Sequence, residues 1–219
     1  MNIFVVVPVF NEEKRVGGVI KNLKKTGLMV VLVDDGSTDD SWRVLQSFKR
    51  KNSRLTLLKH KINLGKGAAM ETGAEASFML GADAVIFMDG DGQHSVSDIY
   101  KFLSKLKDND VVFGERKQRG NMRLYLAKIA SFLTKLLYGI ETSDLLCGFR
   151  AISKKAYKYI KWDSPGYGVE TEMVIRTGLN KLKFAIVPVK TVYFDIFKGF
   201  TIIDGFRILF NIVRWRLTI

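Results

Sequence analysis

Two aspartates separated by one glycine follow an apolar run near the middle of the chain. Asp89 and Asp91 come directly after Ala-Val-Ile-Phe-Met, a run typical of a buried strand. If extended geometry continues past the strand, carboxylates two residues apart point the same way and can share one divalent cation. Mg²⁺ or Mn²⁺ suits such a pair, and Gln93 would be a third oxygen ligand. The alternative is an Asp-Gly turn.

Asp34 and Asp35 end another apolar run, at a position where a carboxylate can bind a ribose hydroxyl or a base N–H. The alternative is that Ser37 and Asp40 form a capping box and the two carboxylates only favour the start of a helix. Lys66 lies between two glycines before a helical pattern, where it can contact diphosphate oxygens. No dinucleotide fingerprint follows the first strand, which disfavours a nicotinamide enzyme.

The first half of the chain alternates apolar β-branched runs with amphipathic stretches. This pattern predicts an α/β fold with a mostly parallel, twisted sheet and helices on both faces. Ligands bind at the carboxyl ends of the strands in such sheets, where the polar segments lie. The predicted strands are 3–7, 29–33, 55–58, 84–88 and 111–113, and the predicted helices are 12–25, 39–51, 67–80 and 96–107.

The second half of the chain is basic and contains two amphipathic helical patterns. Residues 101–219 carry 22 basic and 10 acidic side chains, whereas residues 1–100 carry 13 and 12. Helices at 122–138 and 202–217 predict peripheral attachment to an anionic membrane. The alternative is that their apolar stripes pack on the sheet or on a partner subunit. We divide the chain into a catalytic domain, 1–195, and an amphipathic C-terminal helix, 196–219.

A single cysteine, Cys147, and the lack of a secretory signal predict a cytoplasmic protein on the cytoplasmic face of the membrane. No apolar run is long and uncharged enough to span a bilayer. A nucleic-acid binder is disfavoured because the basic helices contain no nucleic-acid motif and the acidic loops would have no role.

Five segments occur in the order found in one enzyme family: 8–13, 33–39, 63–73, 89–94 and Cys147-Gly148-Phe149-Arg150. With these segments the chain resembles the family 2 glycosyltransferases, especially the dolichyl-phosphate mannose and glucose synthases. The resemblance implies a GT-A (nucleotide-diphospho-sugar transferase) fold and inversion at the anomeric carbon.

The resemblance also implies site residues. Asp89, Asp91 and Gln93 would bind the metal, with Asp91 central to catalysis, and Asp89 would also contact the donor. The nucleoside pocket would be formed by Pro8, Phe10, Glu12, Val33 and Asp35.

On the acceptor side, Arg116 lies in a segment similar to the Gly-Ser-Arg of the family and would face phosphate and assist catalysis. Arg150 would also contact the acceptor phosphate, and Glu172, which lies where the family has an acidic residue near the acceptor, is expected to be catalytic. Relatives usually carry arginine at the position of Ala127, so Arg123 or Lys128 is expected to replace it.

The predicted function is transfer of a hexose from a UDP-glucose or GDP-mannose type donor to a polyprenyl or dolichyl phosphate, with Mg²⁺ or Mn²⁺. The alternative is a soluble sugar or polysaccharide acceptor. Some relatives carry transmembrane helices after the catalytic domain; the lack of them here leaves room for a separate membrane-spanning partner.

Overall fold

The computed structural model describes residues 1–50, 52–117, 121–166, 168–192 and 202–218, without the side chains of 121–127, 202–207, 217 and 218. One sheet of seven strands organises these residues. Its strands are Ile3–Val9 (β1), Met29–Asp34 (β2), Leu55–Lys59 (β3), Ala84–Phe87 (β4), Val111–Arg116 (β5), Arg150–Ser153 (β6) and Phe184–Val189 (β7).

Helices connect the strands and cover the sheet. A 3₁₀ turn, Val96–Asp98, precedes α4, so the single helix expected over 96–107 is divided. The helices are Val16–Lys24 (α1), Ser41–Lys49 (α2), Lys66–Met79 (α3), Ile99–Lys105 (α4), Asn121–Tyr138 (α5), Lys154–Ile160 (α6), Val169–Leu179 (α7) and Ile202–Thr218 (α8).

The strand order is β3-β2-β1-β4-β6-β5-β7. Strands β1 to β4 run parallel to one another, β6 is antiparallel to both β4 and β5, and β5 is parallel to β7. The expected α/β architecture with a mostly parallel sheet is therefore confirmed. The sequence analysis did not predict β6, β7, α6 or α7.

Both faces of the sheet are buried, as the uninterrupted apolar strands require. Alternate residues of β1 point to opposite faces. Val5 and Val7 pack with residues of α1, α2 and α4, whereas Phe4 and Val6 pack with residues of α3 and α7. Helix α8 adds Ile212 to this second core.

Helices α5 and α8 pack against each other, and the Tyr138 hydroxyl donates to the carbonyl of Ile212. One side of each helix thus packs inward, as in the alternative to membrane attachment, and the membrane attachment itself stays a prediction. No helix in the described part of the chain is long and apolar enough to cross a membrane. The division at residues 195 and 196 stays a prediction, because it falls outside the described residues.

Candidate active site

Three polar loops meet at the carboxyl edge of the sheet. They follow β1, β2 and β4, which are adjacent and parallel in the order β2-β1-β4. The backbone N–H of Asp35 donates to the carbonyl of Val9, which joins the first two loops. Loop residues at this edge form the ligand site of open α/β sheets. The structure therefore brings together the segments that the sequence analysis selected.

Residues 90 and 91 form a turn, so the backbone does not stay extended past β4 as assumed, and the metal-binding role of Asp89 and Asp91 stays a prediction. Strand β4 ends at Phe87, and Gly92 has a φ of 75°. The Asp91 side chain accepts a hydrogen bond from the backbone N–H of Gln93 at 2.9 Å. Burial raises the pKa of Asp91, and the charge of Asp89 raises it further. The two carboxylates thus repel each other, as expected of a pair that binds a cation.

Lys66 lies between two carboxylates at this edge. Its Nζ is 2.6 Å from Oδ1 of Asp89 and 2.7 Å from Oε1 of Glu170. Burial would lower the pKa of Lys66, but the charges of Asp89 and Glu170 outweigh burial and raise it. Burial would raise the pKa of Asp89, but Lys66 and His94 bring it well below its usual range. The site therefore holds a charged ammonium beside the expected metal ligands.

Gly148 forms the wall of this site because it has no side chain. A Cβ there would lie 2.6 Å from Oδ1 of Asp89 and 2.7 Å from Nζ of Lys66. The turn that carries Gly148 is held by Arg150, whose guanidinium donates to the carbonyls of Leu145, Cys147 and Glu170.

The structure corrects the role expected for Arg150. Its side chain is completely buried, and its guanidinium lies 5.0 Å from the centre of the Phe113 ring. The guanidinium hydrogen-bonds to backbone carbonyls, as a buried cation requires. In this position Arg150 stabilises the turn that carries Gly148, and its guanidinium is not accessible to an acceptor phosphate.

Asp35 holds the loop that precedes Lys66. Its Oδ1 accepts hydrogen bonds from the backbone N–H of Leu64 and from Nδ1 of His60, and its Oδ2 accepts one from the N–H of Gly65. Nε2 of His60 is 3.0 Å from the Thr72 hydroxyl. Asp35 was expected to bind the nucleoside; in this structure its carboxylate is buried and positions the lysine loop.

The loops after β1 and β2 are joined by reciprocal hydrogen bonds. This explains why α1 begins at Val16 rather than near Glu12: the residues before it are used for these contacts. The backbone N–H of Asp40 donates to Glu13, and α2 begins only at Ser41, so Ser37 and Asp40 do not form a capping box. The bonds are Asn11 N to Ser37 Oγ, Glu12 N to Ser41 Oγ, Glu13 N to Asp39 Oδ2, Thr38 N to Asn11 Oδ1 and Asp40 N to Glu13 Oε2.

Phe10 is the first residue after β1, and 43% of its surface is exposed. Its ring is available for stacking with a base. Pro8 pairs with Val33 between β1 and β2, but the Val33 side chain is buried in the core. Glu12 forms an ion pair with Arg15 at 3.3 Å. Of the expected nucleoside contacts, Phe10 is the most accessible.

Arg116 ends β5 and forms a two-point ion pair with Asp144. Its Nε and its NH2 nitrogen donate to the two carboxylate oxygens at 2.7 and 2.9 Å. Such bidentate pairs fix the orientation of a guanidinium. The side chain keeps 24% exposure. Asp144 therefore orients Arg116 while leaving part of it accessible to a ligand.

Glu172 is almost completely buried, and both of its carboxylate oxygens are hydrogen-bonded. They accept from the backbone N–H groups of Asp163 and Ser164 and from Nε of Arg176. Burial would raise the pKa of Glu172, but these hydrogen bonds lower it below its usual value. The geometry indicates that Glu172 holds the segment before α7 in place.

The remaining acceptor candidates lie on α5. Lys128 is exposed on this helix. The side chain of Arg123 lies outside the described residues, although its backbone belongs to α5.

The donor set at Asp89 and Asp91 fits a hard divalent cation. The two mutually repelling carboxylates offer oxygen ligands, which Mg²⁺ and Mn²⁺ accept. In the described part of the chain, no three His, Cys, Asp or Glu side chains are grouped to hold a metal. The remaining ligands would be phosphate oxygens of a bound nucleotide.

Comparison with solved structures defines the class of fold. Glucosyl-3-phosphoglycerate synthase from Mycobacterium tuberculosis, in a complex with Mn²⁺, UDP and phosphoglyceric acid, has a TM-score of 0.74 at 21% identity. The alignment covers 98% of this chain and 78% of that one. The fold is GT-A, as the sequence analysis expected.

Sequence comparison then identifies the family. The model of glycosyl transferase family 2 matches residues 4–161, so the chain belongs to that family. It is 31% identical to UDP-N-acetylglucosamine–dolichyl-phosphate N-acetylglucosaminyltransferase of Methanococcus voltae, over 98% of this chain and 96% of that protein. It is 24% identical to undecaprenyl-phosphate mannosyltransferase of Micrococcus luteus, over 99% and 95%.

The sequence analysis missed three residues that build the site: His60, Asp144 and Glu170. Glu170 lies two residues before Glu172, and the resemblance selected only the second of these acids. His60 and Asp144 act through contacts with residues 25 and 28 positions away. A charged residue in a polar segment was the only available signal for each of them.

Proposed function

We propose that this chain transfers a sugar from a nucleotide diphosphate donor to a polyprenyl phosphate, with inversion at the anomeric carbon. The observation that carries the proposal is the cluster of Lys66, Asp89 and Asp91 at the carboxyl edge of the sheet. An ammonium next to two repelling carboxylates is suited to a diphosphate bound through a divalent cation. The named relatives, which use dolichyl and undecaprenyl phosphates, support a lipid phosphate acceptor.

The donor would bind across the joined loops. Phe10 offers an exposed ring to the base, and the loop held by Asp35 directs Lys66 towards the diphosphate. Asp89, Asp91 and Gln93 would hold Mg²⁺ or Mn²⁺, which stabilises the negative charge of the leaving diphosphate. The glycine-flanked Lys66 and the Methanococcus relative favour a UDP-sugar, with UDP-N-acetylglucosamine and UDP-glucose as the first donors to test.

A phosphate acceptor is compatible with Glu172, whose carboxylate is already hydrogen-bonded. A phosphate monoester is largely ionised at neutral pH, because its second pKa is about 6, and it needs no general base. Both oxygens of Glu172 are already engaged. Arg116, oriented by Asp144, and Lys128 would contact the acceptor phosphate, with Arg123 as a further candidate on α5.

The proposal predicts which acceptor receives the sugar. The purified chain is incubated in detergent with Mn²⁺ and radiolabelled UDP-N-acetylglucosamine, UDP-glucose or GDP-mannose. With polyprenyl phosphate present, we expect label in the organic phase from at least one donor, and none when EDTA is added. Transfer to free sugars or oligosaccharides without transfer to the lipid would support the soluble-acceptor alternative and contradict the proposal.

The second part of the proposal is attachment to an anionic membrane through α5 and α8. Each helix carries exposed apolar residues: Phe132 and Leu136 on α5 are 64% and 67% exposed, and Phe210 and Val213 on α8 are 66% and 47% exposed. Exposed basic residues occur on both helices, including Lys128 and Arg216. Apolar and cationic side chains on the surface of one helix pair suit the headgroup region of anionic lipid.

The membrane proposal predicts a specific loss of binding. The double variant Phe132→Ser/Phe210→Ser should bind vesicles of phosphatidylcholine with about a quarter phosphatidylglycerol roughly tenfold more weakly than the wild type. The control, Met79→Ser/Leu80→Ser, changes two exposed apolar residues at the end of α3 and should bind normally. Equal losses in both variants, or no binding by the wild type, would contradict attachment through this surface.

A further inference from the structure

The ammonium of Lys66 contacts Asp89, one of the expected metal ligands, so a positive charge already lies at the expected metal site. The ammonium is 2.6 Å from Oδ1 of Asp89 and only 15% of the lysine side chain is exposed. Gly148 closes the recess, since a Cβ at that position would lie 2.7 Å from Nζ. The ammonium is therefore held in a fitted position rather than on an open surface.

A divalent cation bound by Asp89 and Asp91 would come close to this ammonium. Like charges at such short range repel strongly in a partly buried site. The ammonium would then have to leave Asp89, and a buried ammonium needs another anionic partner.

Glu170 provides that partner. Its Oε1 is 2.7 Å from Nζ of Lys66, and the side chain is 2% exposed. Its second oxygen, Oε2, is buried and has no hydrogen-bond partner among the described residues. Buried carboxylate oxygens are normally paired, so the unpaired Oε2 on the residue that already contacts Nζ offers a second position for that ammonium.

We propose that Lys66 is an exchangeable counter-ion of the metal site: a divalent cation displaces its ammonium from Asp89, and Glu170 retains it in the cleft, where it binds the donor diphosphate. This inference rests on the proposed function. Glu170 acts here as a positioning residue, because it acts through Lys66.

The exchange couples the metal to the nucleotide. Without nucleotide, a divalent cation must compete with the ammonium of Lys66 for Asp89 and therefore binds weakly. A diphosphate offers anionic oxygens to the displaced ammonium, so the nucleotide strengthens metal binding. By linkage, the metal strengthens nucleotide binding by the same factor.

The test measures Mn²⁺ binding to the full chain by electron paramagnetic resonance, without nucleotide and then with UDP. The main variant is Lys66→Met/Glu170→Gln, which removes one positive and one negative charge and so leaves the local net charge unchanged. We expect this double variant to bind Mn²⁺ without nucleotide at least about fivefold more tightly than the wild type, and to gain less from UDP. The single variant Lys66→Met should show an even larger increase.

The control is Lys61→Met, which removes an exposed lysine five residues before Lys66 and should change the affinity less than about twofold because exposed charges are screened. Equal or weaker Mn²⁺ binding by the double variant would overturn the exchange, even if the wild type is an active, metal-dependent transferase. If the wild type binds no Mn²⁺ with UDP, the proposed function and the exchange both fail.

Discussion

Replacing Asp91 by asparagine is expected to lower sugar transfer by about 100-fold or more while making the ligand-free protein slightly more stable. Activity falls because the variant lacks one of the two carboxylates that would bind the metal. A loss of rate of about 100-fold is typical when one group that stabilises a transition state is removed. The hydrogen bond from Gln93 is retained because an asparagine side-chain oxygen can also accept it.

The gain in stability follows from the sign of the pKa shift. Burial and the charge of Asp89 raise the pKa of Asp91 in the folded protein. A carboxyl with a raised folded pKa destabilises the fold once the pH exceeds its unfolded value, so at neutral pH the charged Asp91 costs stability. Asparagine removes that cost, as in other sites where function opposes stability.

Two measurements check this prediction: the initial rate of transfer and the melting temperature in EDTA. Asp108→Asn is the matched control, because Asp108 is exposed between α4 and β5. The control variant should have the initial rate and the melting temperature of the wild type. A variant Asp91→Asn that transfers sugar normally, or that melts well below the wild type in EDTA, would contradict the assigned role.

Replacing Gly148 by alanine is expected to reduce transfer about 100-fold while the protein remains folded. The added methyl group would lie 2.6 Å from an oxygen of Asp89 and 2.7 Å from Nζ of Lys66. Both contacts are with the ends of flexible side chains, which can move at little cost to the fold. Displacement of catalytic groups by about 1 Å can lower a rate 100-fold.

Gly166→Ala is the control for this prediction. A Cβ at Gly166 would have no atom within 4 Å, although the residue lies in the segment before α7. Steady-state rates and melting temperatures of the two variants are compared with the wild type. Normal transfer by Gly148→Ala would mean that the Lys66–Asp89 pair is not part of the reaction site.

The sequence predicted the strands at the centre of the sheet because β-branched apolar runs are buried on both faces. It did not predict β6, which begins with Arg150. Hydropathy places an arginine at the surface, and only the complete structure supplies the carbonyls of Leu145, Cys147 and Glu170 that allow its burial. The same long-range contacts explain why its expected phosphate role was incorrect.

The candidate site was predicted as a set of loops but not as a set of contacts. Asp89 and Asp91 were selected from their position after a strand, although the backbone assumed to be extended forms a turn at residues 90 and 91. Lys66 was selected from its glycine neighbours, whereas its partner Glu170 is 104 positions away in a helix that the sequence analysis did not predict. Such pairings depend on tertiary structure and have no local pattern.

A divalent cation bound by Asp89 and Asp91 is proposed to hold the donor diphosphate. Anomalous diffraction from crystals grown with Mn²⁺ and UDP tests this most directly. We predict an anomalous peak between these two carboxylates and the diphosphate oxygens. Bound UDP with no peak at that position, or with Mn²⁺ held by other residues, would contradict metal binding by Asp89 and Asp91.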